Sequence, residues 1–172
     1  WIDLPQRAGA EIGRLVGAKA GEVIVADSTS VNLFKMLAAA LKMRPGRRVI
    51  LSEPGNFPTD LYVAQGLIEM LGGKHELKLV AGEKIIGAID DSVAVVSLTH
   101  VNYKSGRIHD MSATTAKAHA NGALMLWDLA HSAGALPVEL GAAKADFAVG
   151  CGYKYLNGGP GAPAFLFVAE RH

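Results

Sequence analysis

Short apolar runs alternate with helix-forming segments along most of this chain of 172 residues. Several of the runs, such as residues 49–51 and 123–127, contain no polar residue. Strands that are buried on both faces read as continuous apolar runs, and strands separated by helices usually pair in parallel. The alternation therefore predicts a three-layer α/β/α fold around a mostly parallel sheet. Because no long helix separates the last three predicted strands, we expect mixed pairing there.

Apolar spacing and capping residues predict approximate bounds for each element. Strands are predicted at residues 22–26, 48–51, 77–80, 93–98, 123–127, 146–149 and 164–168. Helices are predicted around 12–16, over 31–42 behind capping hydroxyls at 28–30, over 57–71, and from a capping Ser112 to about 121. Half of the residues are hydrophobic, so one domain of this length can bury a sizeable core.

Residues with chemically useful side chains follow the predicted strands at their carboxyl ends. They are Thr29, Ser30, Phe57–Asp60, Thr99, Asp128 and Lys154. Ligands of open α/β sheets bind beyond the carboxyl ends of the strands, so these residues are expected to share one site. A lysine and a carboxylate placed in this way suit a pyridoxal 5'-phosphate (PLP) site. The lysine forms the Schiff base there, and the carboxylate keeps the pyridine nitrogen protonated.

The predicted start of the second helix is suited to binding a phosphate. Thr29 and Ser30 offer hydroxyls, and the backbone N–H groups and dipole of a helix N-terminus favour an anion. The same hydroxyls also serve as ordinary helix caps, and the two roles are compatible. Asp27 would repel a phosphate, so we expect its side chain to point away from the site.

Three motifs occur in an order that closely resembles the kynureninase family. They are Phe57-Pro58-Thr59-Asp60, the segment Asp-Leu-Ala-His-Ser-Ala-Gly at 128–134, and Tyr-Lys-Tyr-Leu-Asn-Gly-Gly-Pro-Gly at 153–161. The resemblance covers essentially the whole chain. It implies a PLP enzyme of the aspartate aminotransferase fold type (fold type I). It also implies hydrolysis of the Cβ–Cγ bond of L-kynurenine, or of 3-hydroxykynurenine, to anthranilate or 3-hydroxyanthranilate and L-alanine, in tryptophan catabolism and NAD biosynthesis.

The resemblance implies a role for each matched residue. Lys154 would hold PLP and move a proton at Cα, Asp128 would contact the pyridine nitrogen, and Tyr153 would reach the phosphate. Beyond this implied contact, we expect Tyr153 to help in proton transfer. Phe57 would stack on the pyridine ring. The implied cofactor contacts are Thr29, Ser30, Phe57, Pro58, Thr59, Asp60, Thr99, Asp128, His131, Tyr153 and Lys154, and no metal is implied.

Each of these residues also has a structural interpretation, and the whole chain has two alternative functions. Asp128 suits a helix cap, His131 a hydrogen-bonded structural histidine, Phe57 a core residue, and Lys154 a solvated surface residue. One alternative function is another fold type I enzyme such as a cysteine desulfurase, although histidine usually precedes the lysine there and this chain has Tyr153. The other is a non-catalytic α/β interaction domain.

The resemblance implies that residues 1–172 are part of a PLP-binding large domain, with an N-terminal segment and a C-terminal small domain outside the chain. The isolated chain is then expected to be inactive, and the complete protein to be a homodimer. A net charge of +1 without a basic stripe argues against nucleic acid, and no apolar run approaches the roughly 20 residues of a membrane span. A single cysteine favours a reducing, cytoplasmic compartment. The expected ligand is a small-molecule amino-acid substrate.

Overall fold

The computed structural model describes residues 1–172 and consists of one seven-stranded sheet with helices on both faces. The helices are α1 (Leu4–Leu15), α2 (Thr29–Met43), α3 (Pro58–Met70), α4 (Ile85–Ala88) and α5 (Met111–Ala120), with a 3₁₀ turn at Gly82–Lys84. The strands are β1 (Val23–Val25), β2 (Val49–Ser52), β3 (Glu76–Leu79), β4 (Val93–Thr99), β5 (Leu124–Asp128), β6 (Phe147–Cys151) and β7 (Ala164–Val168). None of the helices is both long enough and apolar enough to cross a membrane.

The strand order across the sheet is β1-β7-β6-β5-β4-β2-β3. Strands β6, β5, β4, β2 and β3 are parallel neighbours, whereas β7 pairs antiparallel with both β6 and β1. The predicted mostly parallel, mixed sheet is confirmed. Because β1 and β6 both oppose β7, β1 points in the same direction as the parallel strands. The carboxyl ends of six strands therefore lie on the same side of the sheet. We call the border of the sheet formed by these strand ends the carboxyl edge, and the opposite border the amino edge.

Alternate side chains of the central strands enter two separate apolar layers. In β5, Met125 and Trp127 belong to one buried cluster and Leu124 and Leu126 to the other. The first cluster lies beneath α1, α4 and α5, and the second lies beneath α2 and α3. All five residues of β5 are buried, which explains why this strand has no polar alternation in the sequence.

The structure corrects two local predictions. The N-cap of α5 is Asp110, whose carboxylate accepts a hydrogen bond from the Ala113 N–H at 2.8 Å, and not Ser112. An aspartate is as good a cap as serine, and the helix begins as soon as such a residue is available. The short helix α4 was not predicted, because four residues are too few to show a helical period.

Candidate active site

A cavity of about 180 Å³ lies at the carboxyl edge of the sheet. Its lining residues are Ser28, Thr29, Ser30, Phe57, Thr59, Asp60, Asp128, Ala130, His131, Tyr153 and Lys154. Nine of these residues are ones that the sequence predicted as cofactor contacts. They come from four chain segments, each of which follows a strand with its carboxyl end at this edge, so the structure brings these residues together. A larger cavity of about 430 Å³ lies at the amino edge, but it contains none of the predicted residues.

Lys154 and His131 form a hydrogen bond across the cavity. The Lys154 Nζ lies 2.9 Å from the His131 Nε2. Burial and the charge of Lys154 both lower the pKa of His131, so its imidazole is neutral and its Nε2 accepts a hydrogen bond from the lysine. The other ring nitrogen, Nδ1, is buried and has no hydrogen-bond partner within the chain. The histidine therefore orients the amine without adding charge to the site.

Gly134 allows the segment that carries His131 to approach the segment that carries Lys154. A Cβ atom at Gly134 would lie 2.5 Å from the carbonyl oxygen of Tyr155, and the φ angle of this residue is +84°. Any other residue would therefore meet both a steric clash and an unfavourable backbone conformation. The glycine that ends the motif at 128–134 thus has a local physical role, which is to bring the amine and the imidazole within hydrogen-bonding distance.

Asp60 and Asp128 form a buried carboxyl pair at the base of the cavity. Burial and the neighbouring Asp128 raise the pKa of Asp60 from 3.8 to about 9. Burial also raises the pKa of Asp128, whose negative charge is stabilised by the Ala130 N–H at 2.7 Å and by Lys154. Two adjacent carboxyl groups cannot both ionise at low cost. The pair therefore shares one proton at neutral pH. The hydrogen bond between the two groups raises the pKa of Asp60 and opposes the rise in the pKa of Asp128, so the proton resides on Asp60.

The amino end of α2 forms the opposite wall of the cavity. Ser28 is the N-cap, and its hydroxyl accepts a hydrogen bond from the Val31 N–H at 3.3 Å. Thr29 and Ser30 follow it, and the first turn contains no acidic residue. Asp27 forms an ion pair with Lys35 and does not line the cavity, as expected. This wall therefore presents hydroxyls, backbone N–H groups and the positive end of a 15-residue helix to an anion.

Two aromatic rings lie close to the amine of Lys154. The Lys154 Nζ lies 5.5 Å from the centroid of the Phe57 ring and 5.6 Å from that of Tyr153. Tyr103, which the sequence analysis did not single out, meets the Phe57 ring edge-to-face at 5.3 Å and lies nearly parallel to the His131 ring at 6.4 Å. Phe57 is thus held between the site and a second aromatic residue.

Two predicted contacts, Pro58 and Thr99, do not line the cavity. Pro58 occupies the first position of α3, where its missing N–H costs nothing. The Thr99 hydroxyl and N–H both donate to the Asn56 Oδ1, at 2.6 and 2.8 Å, and the Asn56 Nδ2 lies 3.4 Å from an Asp60 oxygen. Thr99 and Asn56 thus support Asp60 through hydrogen bonds outside the cavity lining. The roles of Pro58 and Thr99 as direct cofactor contacts stay predictions.

Sequence reasoning missed four residues at or beside the site. Ser28 was named only as a possible cap, and Ala130 has no chemical signal of its own. Asn56 lies directly before the Phe57 motif, and Tyr103 lies four residues beyond the end of β4. Both are near strand ends, which is the one signal that could have drawn attention to them.

The arrangement combines four chemical capacities in one cavity. It has a primary amine next to a neutral imidazole, an anionic buried carboxylate beside a protonated one, a flat aromatic face, and an anion-binding helix end. A small aromatic aldehyde with a ring nitrogen and an anionic group would engage all four. These groups also suit proton transfer at a carbon next to the amine, because Lys154 can release and regain a proton there.

Comparison with known proteins agrees with the family resemblance seen in the sequence. A model of the aminotransferase class-V family matches residues 3–167. The kynureninase of Deinococcus radiodurans is 61% identical over 172 residues, and that of Pseudomonas fluorescens is 57% identical over 176 residues. The matches cover 100% and 99% of this chain but 42% of each relative, so the chain spans less than half of their length. The predicted resemblance is therefore confirmed.

The fold itself is shared more widely. The apo structure of a cysteine desulfurase from Thermococcus onnurineus NA1 superposes with a TM-score of 0.81 at 26% identity, covering 97% of this chain and 43% of that protein. Fold alone therefore does not distinguish the two enzymes considered from the sequence. Because the family model spans nearly all of the chain and the superposition confirms the architecture, this chain belongs to the aminotransferase class-V family.

Proposed function

We propose that this chain is the PLP-binding portion of a kynureninase, which hydrolyses kynurenine to anthranilate and alanine. The observation that carries the cofactor assignment is the shared cavity, in which Lys154, Asp128 and the amino end of α2 meet. The reaction assignment is supported by 55–61% identity to kynureninases, against 26% to the cysteine desulfurase. The proposal extends to a cytoplasmic homodimer that acts on a small-molecule amino-acid substrate.

The residues present fit PLP. Thr29 and Ser30 at the helix end would take the phosphate, together with Tyr153, which lines the same cavity. Phe57 would lie against the pyridine ring, and Asp128 would pair with its nitrogen. The unpartnered Nδ1 of His131 is a buried donor or acceptor that a bound ring substituent would satisfy. When bound, PLP supplies an electron sink for the carbon centre that loses a proton or a carbon substituent.

Lys154 has two duties in the proposed reaction. Lys154 would hold the cofactor covalently, and its amine, when free, would take the proton from the substrate Cα. His131 accepts a hydrogen bond from Nζ and keeps the amine directed into the cavity. Because the pKa of His131 is lowered, its imidazole stays neutral at neutral pH and does not compete with Lys154 for a proton. Tyr153 is exposed beside Lys154 and would pass a proton to or from the substrate.

If PLP is bound, the carboxyl pair would favour the protonated form of its pyridine nitrogen. Asp60 keeps the shared proton because its pKa is raised to about 9, which leaves Asp128 as the anionic member. An anion at this position stabilises a protonated ring nitrogen, which strengthens the electron sink. The Ala130 N–H fixes the orientation of the Asp128 carboxylate at 2.7 Å. Asp60 thus stays protonated beside Asp128, which is the carboxylate that would contact the cofactor.

The test uses a hybrid enzyme. In it, these 172 residues replace the matching segment of full-length Deinococcus radiodurans kynureninase. We expect the hybrid to bind PLP and to release anthranilate from kynurenine, measured by anthranilate fluorescence, and not to release sulfide from cysteine. A hybrid that folds and binds PLP but releases no anthranilate would refute the proposed reaction.

A second measurement uses the 172-residue chain alone. Borohydride reduction in the presence of PLP, followed by peptide mapping, should give a phosphopyridoxyl adduct on Lys154. Lys117→Ala, which changes a lysine in α5, is the matched control and should leave the adduct intact. No adduct on Lys154 in either the chain or the hybrid would favour the non-catalytic interaction domain.

A further inference from the structure

Glu53 is a buried carboxylate that takes no part in the site described above. It lies directly after β2, and its side chain is 4% exposed. Its Oε1 accepts a hydrogen bond from the His109 Nε2 at 3.0 Å, and its Oε2 accepts one from the Arg107 Nη2. Although burial opposes its charge, His109 and Arg107 hold the pKa of Glu53 below its ordinary value. We call these three residues the Glu53 cluster.

The cluster connects two loops at the carboxyl edge. Glu53 belongs to the loop from β2 to α3, which ends in Phe57. Arg107 and His109 belong to the loop from β4 to α5, residues 100–110, whose two arms meet in an antiparallel bridge between Val101 and Ile108. A second link, from the Asn102 Nδ2 to the Gly55 carbonyl oxygen at 2.8 Å, joins the same two loops. The loops are therefore fastened at two points.

The tip of the β4–α5 loop carries Tyr103. Asn102 shapes this tip, because its Oδ1 accepts hydrogen bonds from the backbone N–H groups of Lys104 and Ser105 at 3.0 Å each. Tyr103 contacts Phe57 and His131, which both line the cavity. The position of the loop thus determines where Phe57 lies relative to Lys154, whose Nζ is 5.5 Å from the Phe57 ring centroid.

We propose that Glu53 is a positioning residue: its contacts with Arg107 and His109 hold the β4–α5 loop in place, so that Tyr103 fixes Phe57 and His131 in the cofactor site. The proposal rests on the proposed function for its kinetic consequences, but the loop contacts themselves do not depend on it. Gly82 closes over the cluster, since a Cβ there would lie 2.1 Å from the Glu53 Oε2.

A buried carboxylate is suited to this task because its partners are directional. Apolar packing tolerates small shifts, whereas two charge-assisted hydrogen bonds define both distance and angle. Catalytic sites are sensitive to shifts of this size, because a misplacement of about 1 Å costs on the order of a hundredfold in rate. Rigid support of the residues that touch a cofactor is a general requirement of such sites.

The experiment compares Glu53→Gln with Asp146→Asn. Asp146 is the matched control because it is also a buried carboxylate held by an arginine and by histidines, but at the amino edge. The first measurement is hydrogen exchange in the cofactor-free 172-residue chain. Glu53→Gln should speed exchange in residues 53–60 and 100–110 and leave β5 and β6 unchanged, while Asp146→Asn should spare the two loops.

The second measurement uses the PLP-loaded hybrid enzyme. We expect Glu53→Gln to change the visible circular dichroism of the bound cofactor. We also expect it to lower kcat/KM by about tenfold, because a shift smaller than about 1 Å should cost less than the roughly hundredfold loss given above. Asp146→Asn should lower the melting temperature without changing the circular dichroism. Tyr103→Ala should give the same spectral change, and the double variant should be no worse than the single ones, because the effect of Glu53 passes through Tyr103.

Three outcomes would overturn the proposal. They are unchanged loop exchange in Glu53→Gln, an unchanged cofactor spectrum, and additive effects of Glu53→Gln and Tyr103→Ala. If Glu53→Gln does not fold, Arg107→Met replaces it, because it removes one partner of Glu53 and leaves the hydrogen bond to His109 in place. A hybrid that binds PLP without releasing anthranilate would refute the proposed reaction, yet the exchange and spectral measurements would still decide the role of Glu53.

Discussion

Asp128 and Asp146 are both buried aspartates at the ends of central strands, but they lie at opposite edges of the sheet. Asp146 accepts hydrogen bonds from the Met125 N–H, His119, Arg171 and His172 at 2.6–2.8 Å. Burial opposes its charge, but these donors together hold its pKa below the ordinary value. Asp128 accepts one backbone hydrogen bond and faces Asp60, and burial raises its pKa.

The difference shows that burial alone does not determine the role of a carboxylate. All the hydrogen-bonding capacity of Asp146 is used within the chain, so it contributes to stability. Asp128 has capacity in reserve and opens on a cavity, which is typical of a group that binds a ligand. Asp146 at the amino edge therefore has a stabilising role, whereas Asp128 at the carboxyl edge is available to bind a ligand. The following predictions test this contrast.

The largest expected effect is the loss of the covalent link in Lys154→Ala. No other lysine lines the cavity, so the variant should form no reducible adduct with PLP. The measurement is borohydride reduction followed by mass spectrometry of the hybrid enzyme. Lys117→Ala, on α5 and outside the cavity, is the control. A full adduct yield in Lys154→Ala would remove the amine from the site.

Asp146→Asn should cost the most stability. Replacing this carboxylate removes the charge that faces Arg171 and two histidines, and breaking a buried ion pair costs about 3 kcal/mol. Urea unfolding of the cofactor-free chain measures the loss. Asp128→Asn is the comparison and should cost little or increase stability, since it removes one of two adjacent carboxyl groups. Equal losses in the two variants would contradict the contrast between the edges.

Asp128→Asn should reduce turnover while PLP remains bound. A neutral amide does not stabilise a protonated ring nitrogen, and the lost charge-assisted hydrogen bond corresponds to about 1.5–3 kcal/mol, or roughly ten- to a hundredfold in rate. Steady-state anthranilate release by the hybrid enzyme measures the effect, with Asp146→Asn as the control. An unchanged kcat would show that Asp128 does not contact the ring nitrogen.

The two edges should respond to pH in opposite directions. Asp60 has a raised pKa, so the stability that its proton contributes is complete below pH 3.8 and is lost as pH rises through about 9. Asp146 has a lowered pKa, so its contribution is present above pH 3.8 and is lost only in acid. The cofactor-free chain should therefore lose stability between pH 7 and 8.5, by at most about 1.4 kcal/mol per pH unit for one proton.

Asp60→Asn isolates this effect. The variant should show a flatter dependence of its unfolding free energy on pH between 7 and 8.5, because the proton that Asp60 releases is no longer present. Asp146→Asn should keep the wild-type slope in the same range. Parallel curves for wild type and Asp60→Asn would mean that the carboxyl pair does not hold a shared proton.

The smallest expected effect is that of Ser28→Ala. Removing this cap of α2 should lower the unfolding free energy by about 1 kcal/mol. Asp110→Ala, which removes the cap of α5 outside the cavity, is the matched control. Both variants should lose similar stability, but Ser28→Ala should also weaken PLP binding, measured by titration of the cofactor absorbance. Equal PLP affinity in both variants would remove Ser28 from the phosphate-binding wall.

Much of the fold and of the site was predictable because its signals are local. The apolar run at 123–127 identifies β5, and Asp128 follows at its end, so its position at the carboxyl edge results from strand direction alone. Lys154 and the Thr29–Ser30 pair are placed by the same argument. Cap choice is also local, yet it failed at α5, because Asp110 and Ser112 are both good caps and lie two residues apart.

The sequence by itself determined which residues reach the carboxyl edge, and only the tertiary structure decided how they interact there. The shared proton of Asp60 and Asp128, the hydrogen bond from Lys154 to His131, and the Glu53 cluster each join residues far apart in the chain. Thr99 shows the limit clearly, since its position was predicted but its hydroxyl turns to Asn56 instead of the cavity. Strand periodicity specifies the direction of a chain segment, whereas a hydrogen bond depends on distances of a few tenths of an ångström that only the packed sheet and loops define.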